Sequence, residues 1–252
     1  MTYSIQNRYV FFRDLGLIPY KQAWDIQETY LKETIEMKLR IRDRELSNEG
    51  VFGALSADAD ISTPNYLLFC EHPHVYTLGK SGKETNLLLD FSKMESIGAE
   101  YIESNRGGDI TYHGPGQLVV YPVLDLENFF TDIHRYMRSL EEIVIKTCAH
   151  FGLETGRVPG LTGVWVDPKG PFPRKICAMG VKTSRWVSMH GLALNVTTDM
   201  AYFGHIVPCG IQDKSVTSLS QELDSGVSME MVKTIVREKF CEVFGAELTE
   251  LS

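Results

Sequence analysis

The sequence predicts an α+β fold, in which a largely antiparallel sheet is flanked by a few helices. Short strand-like segments follow one another closely from residue 66 to residue 196. Helical periodicity is confined to a few stretches, and the regular strand–helix alternation of parallel α/β proteins is missing. The chain has no internal repeat, and its length allows one large domain. We expect residues 1–252 to form a single catalytic domain.

The first predicted helix begins at Lys21 and ends near Arg40. Apolar or small side chains recur there at spacings of three and four, at Ala23, Ile26, Tyr30, Thr34, Met37 and Ile41. Residues 42–65 are polar and rich in Asp, Ser and Gly, which is typical of a loop. We interpret this segment as a loop insertion within the domain.

The strand-like segments come next and are rich in β-branched and aromatic residues. They are 66–70, 74–78, 99–104, the run after Gly116, 163–166, 175–181 and 186–196. Helical spacing returns at 132–151 and again near 228–243. The segment PKGPFPR at 168–174 predicts a hairpin loop between two of the strands.

Composition and charge limit the classes of function. The chain is 43% hydrophobic and 23% charged, and its formal net charge is −8. This charge argues against a nucleic-acid partner, because phosphate contacts need clustered Lys and Arg. No run approaches the roughly 18 apolar residues of a membrane helix, and the N-terminus does not have the pattern of a signal peptide. We therefore expect a cytoplasmic protein that binds neither nucleic acid nor membrane.

The stretch RGGDITYHGPGQ at 106–117 is unusually rich in glycine. Gly114–Gln117 has the residues of a type II turn, since Pro115 fixes φ near −65° and Gly116 accepts a positive φ. Gly107 and Gly108 have no Cβ, so they allow a close approach and can leave N–H donors free for an oxyanion. A glycine-rich hairpin corner without catalytic function is the alternative interpretation. The pattern matches neither a phosphate loop nor a dinucleotide-binding motif.

Cys209 is the candidate nucleophile among the five cysteines. It lies between Pro208 and Gly210, which favour an irregular and accessible backbone. The rival, Cys177, belongs to an apolar strand, where burial raises the pKa of a thiol. The other cysteines fit core positions; they are Cys70, Cys148 and Cys241. Because the chain has no CxxC spacing, neither a disulfide framework nor a zinc site is indicated.

Lys175 is the candidate partner of this thiol. Strict strand alternation places Lys175, Cys177 and Met179 on one face of the strand 175–181. A partly buried ammonium seeks an anion, and the thiolate of Cys209 would supply one. The alternative is a lysine that only extends beside a loop.

Histidines offer a second route to activation of a thiol. Five lie near predicted turns, namely His72, His74, His113, His190 and His205, and His134 and His150 fit a helix surface. No HExxH or HxH arrangement with a third ligand occurs, so we expect no metal site.

Four motifs in chain order resemble those of the octanoyltransferases of lipoate synthesis, the lipoyl(octanoyl) transferase family. They are RGGDITYHGPGQ, KICAMG, MHGLALN and IVPCGI, and the upstream EHPHVYTLGK is similar to a further element of that family. The resemblance covers about residues 66–220. It implies the fold of lipoate- and biotin-protein ligases, with a main mixed or antiparallel sheet, a smaller sheet and flanking helices.

The resemblance also implies roles for individual residues. Cys209 takes an octanoyl group from acyl carrier protein as a thioester, and Lys175 lowers the pKa of its thiol. Gly180 and Gly191 leave room for a straight acyl tail. No cofactor is implied. The substrate site is expected to comprise Arg106, Gly107, Gly108, Asp109, Ile110, Thr111, Tyr112, His113, Ala178, Met179, Gly180, Gly191, Leu192 and Ala193.

The implied partners are proteins that carry the acyl group. The donor is octanoyl-acyl carrier protein, and the acceptors are lipoyl domains of 2-oxoacid dehydrogenase complexes and the glycine cleavage H protein. Either Lys175 or His113 is expected to deprotonate the acceptor lysine. Because such carriers are typically acidic, we expect a local basic rim formed by Lys80, Lys83, Arg157, Arg174, Lys182 and Arg185.

Other functions compete with acyl transfer. An ATP-dependent lipoate or biotin ligase of the same fold need not have a nucleophilic cysteine, so Cys209 beside a matched Lys175 favours transfer. A non-catalytic module that binds acyl chains or carrier protein would gain no covalent acyl group. A Cys–His protease is a more distant alternative, since no family signature supports it.

Overall fold

The computed structural model describes residues 7–48, 62–207, 215–224 and 226–251. The strands are β1 Tyr9–Leu17, β2 Tyr66–Glu71, β3 Val75–Leu78, β4 Glu100–Glu103, β5 Thr111–His113, β6 Gln117–Val123, β7 Thr155–Gly156, β8 Val164–Val166, β9 Arg174–Ser184, β10 Val187–Asn195, β11 Ser215–Val216 and β12 Glu247–Glu250. The helices are α1 Tyr20–Asn48, α2 Phe91–Ser96, α3 Ile133–His150, α4 Leu219–Glu222 and α5 Met229–Phe244. None of the helices in these ranges is long and apolar enough to cross a membrane.

All of the strands and helices predicted from the sequence are present, and the loop 168–174 joins β8 to β9 as predicted. The prediction of a loop from residue 42 was wrong for 42–48, which continue α1. An ion pair between Arg42 and Glu127 (2.9 Å) ties this part of the helix to a distant segment, which local sequence does not reveal. Residues 49–61 of the predicted loop lie outside the described residues.

The main sheet is mixed. Its order is β12-β1-β2-β6-β10-β9-β8-β7, and β11 pairs with β9 outside this path. The pairs β12–β1, β1–β2 and β9–β11 are parallel, and the others are antiparallel. Strands β1 and β12 were not predicted from the sequence; they pair with each other in parallel, with Tyr9 opposite Glu247. A smaller sheet has the order β4-β3-β5.

Helices cover both faces of the main sheet. Alternate side chains of each strand point to opposite faces, and because both faces are covered, apolar residues occupy successive positions at 67–69 and 118–120. Leu68 and Val119 pack with Ala23 of α1 on one face. Leu67 and Leu118 belong to the large core under α3 and α5 on the other. The small sheet packs on its own apolar cluster, and the loop before β5 lies over strands of the main sheet.

Candidate active site

A cavity of about 340 Å³ lies between the loop at 106–111 and strands β6, β9 and β10. Lys175, the candidate partner of the Cys209 thiol, lines it. So do nearly all of the residues predicted for the substrate site: Arg106, Gly107, Gly108, Asp109, Ile110, Thr111, His113, Ala178, Met179, Gly180, Gly191, Leu192 and Ala193. The prediction did not include Tyr20, Gln117, Tyr121, Trp165, His190 and Asn195, which line it too. Gln117, His190 and Asn195 belong to the quoted motifs, which could have pointed to them.

Tyr112 is an exception among the predicted substrate residues. It lies between Thr111 and His113 on β5, and strand alternation turns its side chain away from the cavity. The ring is fully buried in the small-sheet cluster, and its hydroxyl bonds to His74 Nδ1 (2.7 Å). Tyr112 was predicted with its neighbours to line the substrate site, but it is not among the residues that line this cavity.

Arg106 anchors the glycine-rich loop to the small sheet. Its side chain is buried, and Nη2 donates to the carbonyl oxygen of Thr77 (2.6 Å) and to Thr77 Oγ1 (2.9 Å). Nη1 donates to the Gly107 carbonyl oxygen (3.0 Å). Hydrogen bonds from a charged donor are stronger than neutral ones, so Arg106 fixes the loop against the end of β3.

Close backbone contacts account for the glycines around this loop. A Cβ at Gly180 would lie 2.5 Å from the Gly107 carbonyl oxygen, and one at Gly79 would lie 2.3 Å from that of Gly108. The Gly107 N–H donates to Val181 O (3.0 Å), so the prediction that it is free was wrong. In the described part of the chain, the Gly108 N–H donates to no protein acceptor. Gly108 is therefore the better candidate for an oxyanion donor.

Gly191 is required by the sheet and not by an acyl tail. A Cβ there would lie 2.1 Å from the carbonyl oxygen of Val120 on the neighbouring strand. With Gly180 it was predicted to leave room for the substrate, but in both residues the missing Cβ makes room for backbone. The preceding His190 has φ 59°, and its N–H donates to Gln27 Oε1 (2.8 Å). His190 is therefore a left-handed residue within β10, and a side chain of α1 accepts its N–H.

The turn Gly114–Gln117 forms as predicted. Gly116 has φ 80°, and the Gln117 N–H donates to the Gly114 carbonyl oxygen (3.2 Å), as in a type II turn. The turn brings the Gln117 side chain to His113, whose Nδ1 lies 2.7 Å from Gln117 Oε1. Both side chains are buried on the cavity wall.

Lys175 lies on the cavity wall because β9 contains a bulge. Lys175 pairs with Trp165 and Cys177 pairs with Val164, so Ile176 is the extra residue of the bulge. Ile176 and Cys177 both belong to the main core, whereas Lys175 lines the cavity. The prediction that Lys175 and Cys177 share a face was wrong, because it assumed strict alternation. The Lys175 side chain is half-buried, and its Nζ lies 4.7 Å from the centre of the Trp165 ring.

The described cysteines are poor nucleophiles. Burial raises the pKa of the Cys70 and Cys177 thiols well above the ordinary value, and raises that of Cys148 to about 12. Cys241 is half-buried, and its pKa is also raised by burial. The candidate nucleophile Cys209 lies outside the described residues.

Three histidines near the cavity are held neutral. Burial lowers the pKa of His72 to about 4 and that of His190 to about 3. Burial, followed by the neighbouring His72 and Arg106, lowers the pKa of His113 well below its ordinary value. His134 and His150 are exposed on α3, as predicted.

The predicted basic residues fall into two groups. Arg157 is paired with Glu141 (2.8 Å) and with Glu142 (2.8 Å), and Arg174 is paired with Glu222 (2.7 Å). Their charges are therefore largely compensated within the protein. Of the rest of the predicted rim, Lys80, Lys83 and Arg185 are exposed and Lys182 is half-buried.

Comparison with solved structures identifies the fold. A putative lipoate protein ligase from Thermoplasma acidophilum with bound lipoic acid superposes with a TM-score of 0.66, at 15% identity over 96% of this chain and 89% of that one. Lipoate-protein ligase A bound with ATP gives a TM-score of 0.63 at 16% identity, over 98% of this chain and 90% of that one. At these identities the likeness shows the fold alone, which is that of the lipoate protein ligases.

Comparison of sequences identifies the family. Residues 48–241 match the model of the lipoyl protein ligase A/B catalytic domain. An octanoyltransferase of Cytophaga hutchinsonii is 54% identical over 239 residues, which are 94% of this chain and 93% of that protein. An octanoyltransferase of Christiangramia forsetii is 53% identical over 243 residues, 96% of this chain and 98% of that protein.

The chain therefore belongs to the lipoyl protein ligase A/B catalytic domain family. It is an acyltransferase of the octanoyltransferase type, which transfers octanoyl groups in protein lipoylation. This confirms the recognition made from the four sequence motifs.

Proposed function

We propose that octanoyl transfer proceeds through a thioester on Cys209. The Cys209 thiolate attacks the acyl carbonyl of octanoyl-acyl carrier protein, the bond from that carbon to the carrier sulfur breaks, and the carrier leaves as a thiol with the proton of the Lys175 ammonium. The ε-amine of a lysine in a lipoyl domain then attacks the octanoyl thioester. An amide forms, the neutral Lys175 amine accepts the proton that the attacking amine loses, and the Cys209 thiolate and the Lys175 ammonium are restored. The energy of the donor thioester suffices for both steps, so no ATP or other cofactor takes part.

The position of Lys175 is the observation that carries this proposal. Lys175 lies on the cavity wall, and Val216 pairs with it across the β9–β11 edge. Ser215 and Val216 also line the cavity, and they follow closely in sequence on Cys209. An ammonium at this wall favours a thiolate over a thiol, which is the activation that a cysteine nucleophile needs.

Other groups on the cavity wall act on the oxyanion and on the proton of the amine. The Gly108 N–H is a donor for the oxyanion that develops on the acyl carbonyl. Lys175 is a better acceptor than His113 for the proton of the incoming amine. Burial lowers the pKa of His113, and the neighbouring His72 and Arg106 lower it further, so the His113 ring is a weak base.

The cavity suits a medium-length acyl chain. Val119 and Ala193 contribute apolar surface to its wall. Burial of an acyl tail contributes about 0.8 kcal/mol per methylene, so an octanoyl tail gains several kcal/mol over a short one. We propose lipoyl domains of 2-oxoacid dehydrogenase complexes and the glycine cleavage H protein as the acceptors. A cytoplasmic location stays a prediction from the sequence.

The proposal is tested by intact mass spectrometry after incubation with octanoyl-acyl carrier protein and no acceptor. The wild-type protein is expected to gain one octanoyl group, which a lipoyl domain then removes. Cys209→Ser should gain no labile thioester, and Lys175→Met should acylate at least 100-fold more slowly. Octanoylation of the acceptor by Cys209→Ser at the wild-type rate would overturn the proposal. Activity with free octanoate and ATP, at the rate seen with the carrier, would favour a ligase instead.

A further inference from the structure

A buried asparagine supports the end of strand β11 on the side opposite its pairing with β9. It comprises only Ser215–Val216, and so short a strand is not stable by itself. The next residue, Thr217, donates its N–H to the Lys175 carbonyl oxygen (3.0 Å). The Thr217 carbonyl oxygen accepts from Asn195 Nδ2 (3.0 Å). Asn195 is thus joined through Thr217 to the backbone of Lys175.

The orientation of the Asn195 amide is fixed by Gln117. Gln117 Nε2 donates to Asn195 Oδ1 (2.8 Å) and to the Tyr112 carbonyl oxygen (3.1 Å). Backbone carbonyls only accept hydrogen bonds, so Nδ2 of Asn195 must face Thr217 and Nε2 of Gln117 must face Tyr112. Both amides are almost wholly buried, at 3% and 1% exposure.

The same reasoning fixes the protonation of His113. Because Nε2 of Gln117 donates to Tyr112 and Asn195, Oε1 of Gln117 faces His113 and accepts from its Nδ1 (2.7 Å). His113 is therefore the Nδ1–H tautomer, and its Nε2 accepts from the Thr77 hydroxyl (3.3 Å). Thr77 Oγ1 in turn accepts from Arg106 Nη2 (2.9 Å), which is a donor only.

Every donor in this series points the same way, from the Arg106 guanidinium to the Lys175 carbonyl oxygen. Hydrogen bonds arranged head to tail polarise one another, and in a buried setting they hold a single geometry. The two ends, a cation and a carbonyl group, independently require the same direction. The series joins the loop at 106–111 to the strand that carries Lys175, across the floor of the cavity.

We propose that Asn195, oriented by Gln117, is a positioning residue that holds β11 and Lys175 in the geometry needed for acyl transfer. This inference rests on the proposed function of Lys175. Loss of the Asn195 amide would free the Thr217 carbonyl oxygen and loosen the edge at which Lys175 pairs with Val216. Since a displacement of about 1 Å can cost 10²-fold in rate, we expect kcat to fall 10- to 100-fold. The KM for the carrier substrate should change less than about threefold.

The test compares Asn195→Leu and Asn195→Asp with the control Asn128→Leu. Asn128 is also a buried asparagine, which donates to Thr63 Oγ1 (3.0 Å) in another part of the fold. The first measurement is kcat and KM with octanoyl-acyl carrier protein. The second is the pH dependence of iodoacetamide alkylation at Cys209, followed on the isolated peptide, because thiolate formation depends on the placement of Lys175.

We expect Asn195→Leu to shift the alkylation profile upward by about one pH unit, whereas Asn128→Leu keeps the wild-type profile at a similar loss of melting temperature. Asn195→Asp can still accept from Gln117, but as a carboxylate it cannot donate to Thr217. Its kcat relative to wild type should therefore rise as the pH falls and the carboxyl group gains a proton. Equal kcat and equal alkylation profiles in Asn195→Leu and Asn128→Leu would overturn the inference. If the wild type forms no acyl adduct at all, the proposed function fails instead.

Discussion

The Lys38 ammonium lies 2.6 Å from the Asp125 carboxylate, and both side chains are almost fully enclosed, with exposures of 6% and 4%. Lys38 belongs to α1, and its Nζ also donates to the Arg185 carbonyl oxygen (3.0 Å) in the β9–β10 hairpin. The second carboxylate oxygen of Asp125 accepts from Thr63 Oγ1 (2.8 Å). One buried ion pair therefore joins the long helix, the hairpin and the start of β2.

Replacement of Lys38 by Met should lower the free energy of unfolding by about 3–5 kcal/mol, because it leaves the Asp125 carboxylate buried without its counter-charge. Urea unfolding monitored by circular dichroism measures this. The control is Lys146→Met, which breaks the exposed pair with Glu242 and should change stability very little. Similar urea midpoints for the two variants would show that the buried pair is not structurally important.

The three neutral histidines predict loss of stability in mild acid. The folded-state pKa of His72 is about 4 and that of His190 about 3, and that of His113 is also lowered, so all lie below the value near 6.5 of an unfolded chain. Below pH 6.5 the unfolded state binds protons that the folded state does not. Stability is therefore complete above pH 6.5 and falls toward pH 4, by up to about 1.4 kcal/mol per pH unit for each histidine.

Urea unfolding at pH 7.5, 6.5 and 5.5 checks this dependence. The range stays above the pKa values of ordinary carboxylates, so histidines dominate the change. His72→Gln should reduce the slope by about one third, because it removes one of three coupled protonations. A free energy of unfolding that is constant between pH 6.5 and 5.5 would contradict the assignment of neutral buried imidazoles.

Gly180→Ala should impair the site without a change in its chemistry. The new Cβ would lie 2.5 Å from the Gly107 carbonyl oxygen, so the loop anchored by Arg106 must move. We expect a loss of about 1–3 kcal/mol in stability and a fall of at least tenfold in kcat. Gly204→Ala is the matched control, since nothing lies within 4 Å of a Cβ at that residue. If both variants retain full activity, the loop does not need its present position.

Charge reversal at Lys182 and Arg185 tests whether the basic rim guides the carrier protein. The double variant Lys182→Glu/Arg185→Glu should lower kcat/KM for the carrier substrate about tenfold at low salt, with little effect at 0.5 M salt. Lys146→Glu/Lys239→Glu changes the net charge equally, at residues of α3 and α5 paired with Glu242. An equal loss in both variants would mean that net charge, and not this rim, governs encounter.

Features that depend on residues close together in the chain could be predicted from the sequence. Apolar spacing located the helix at 132–151 and the central strands, because burial on one helix face or on both strand faces leaves a periodic pattern. The turn Gly114–Gln117 was predictable because Pro115 restricts its own φ and Gly116 tolerates the positive φ that the turn requires. The motifs were sufficient for recognition of the family, and nearly all of the residues predicted from them for the substrate site line the cavity.

The orientation of individual side chains and their protonation states depend on the tertiary structure. The bulge at Ile176 turns Lys175 into the cavity and away from Cys177. It arises because the register between β8 and β9 shifts by one residue at this point. Tyr112 is buried in the small sheet, although its neighbours in the motif face the cavity. The neutral Nδ1–H state of His113 follows from its burial near Arg106 and from its bond to Gln117. Strand pairing and desolvation are properties of the assembled chain, so no local pattern of residues encodes them.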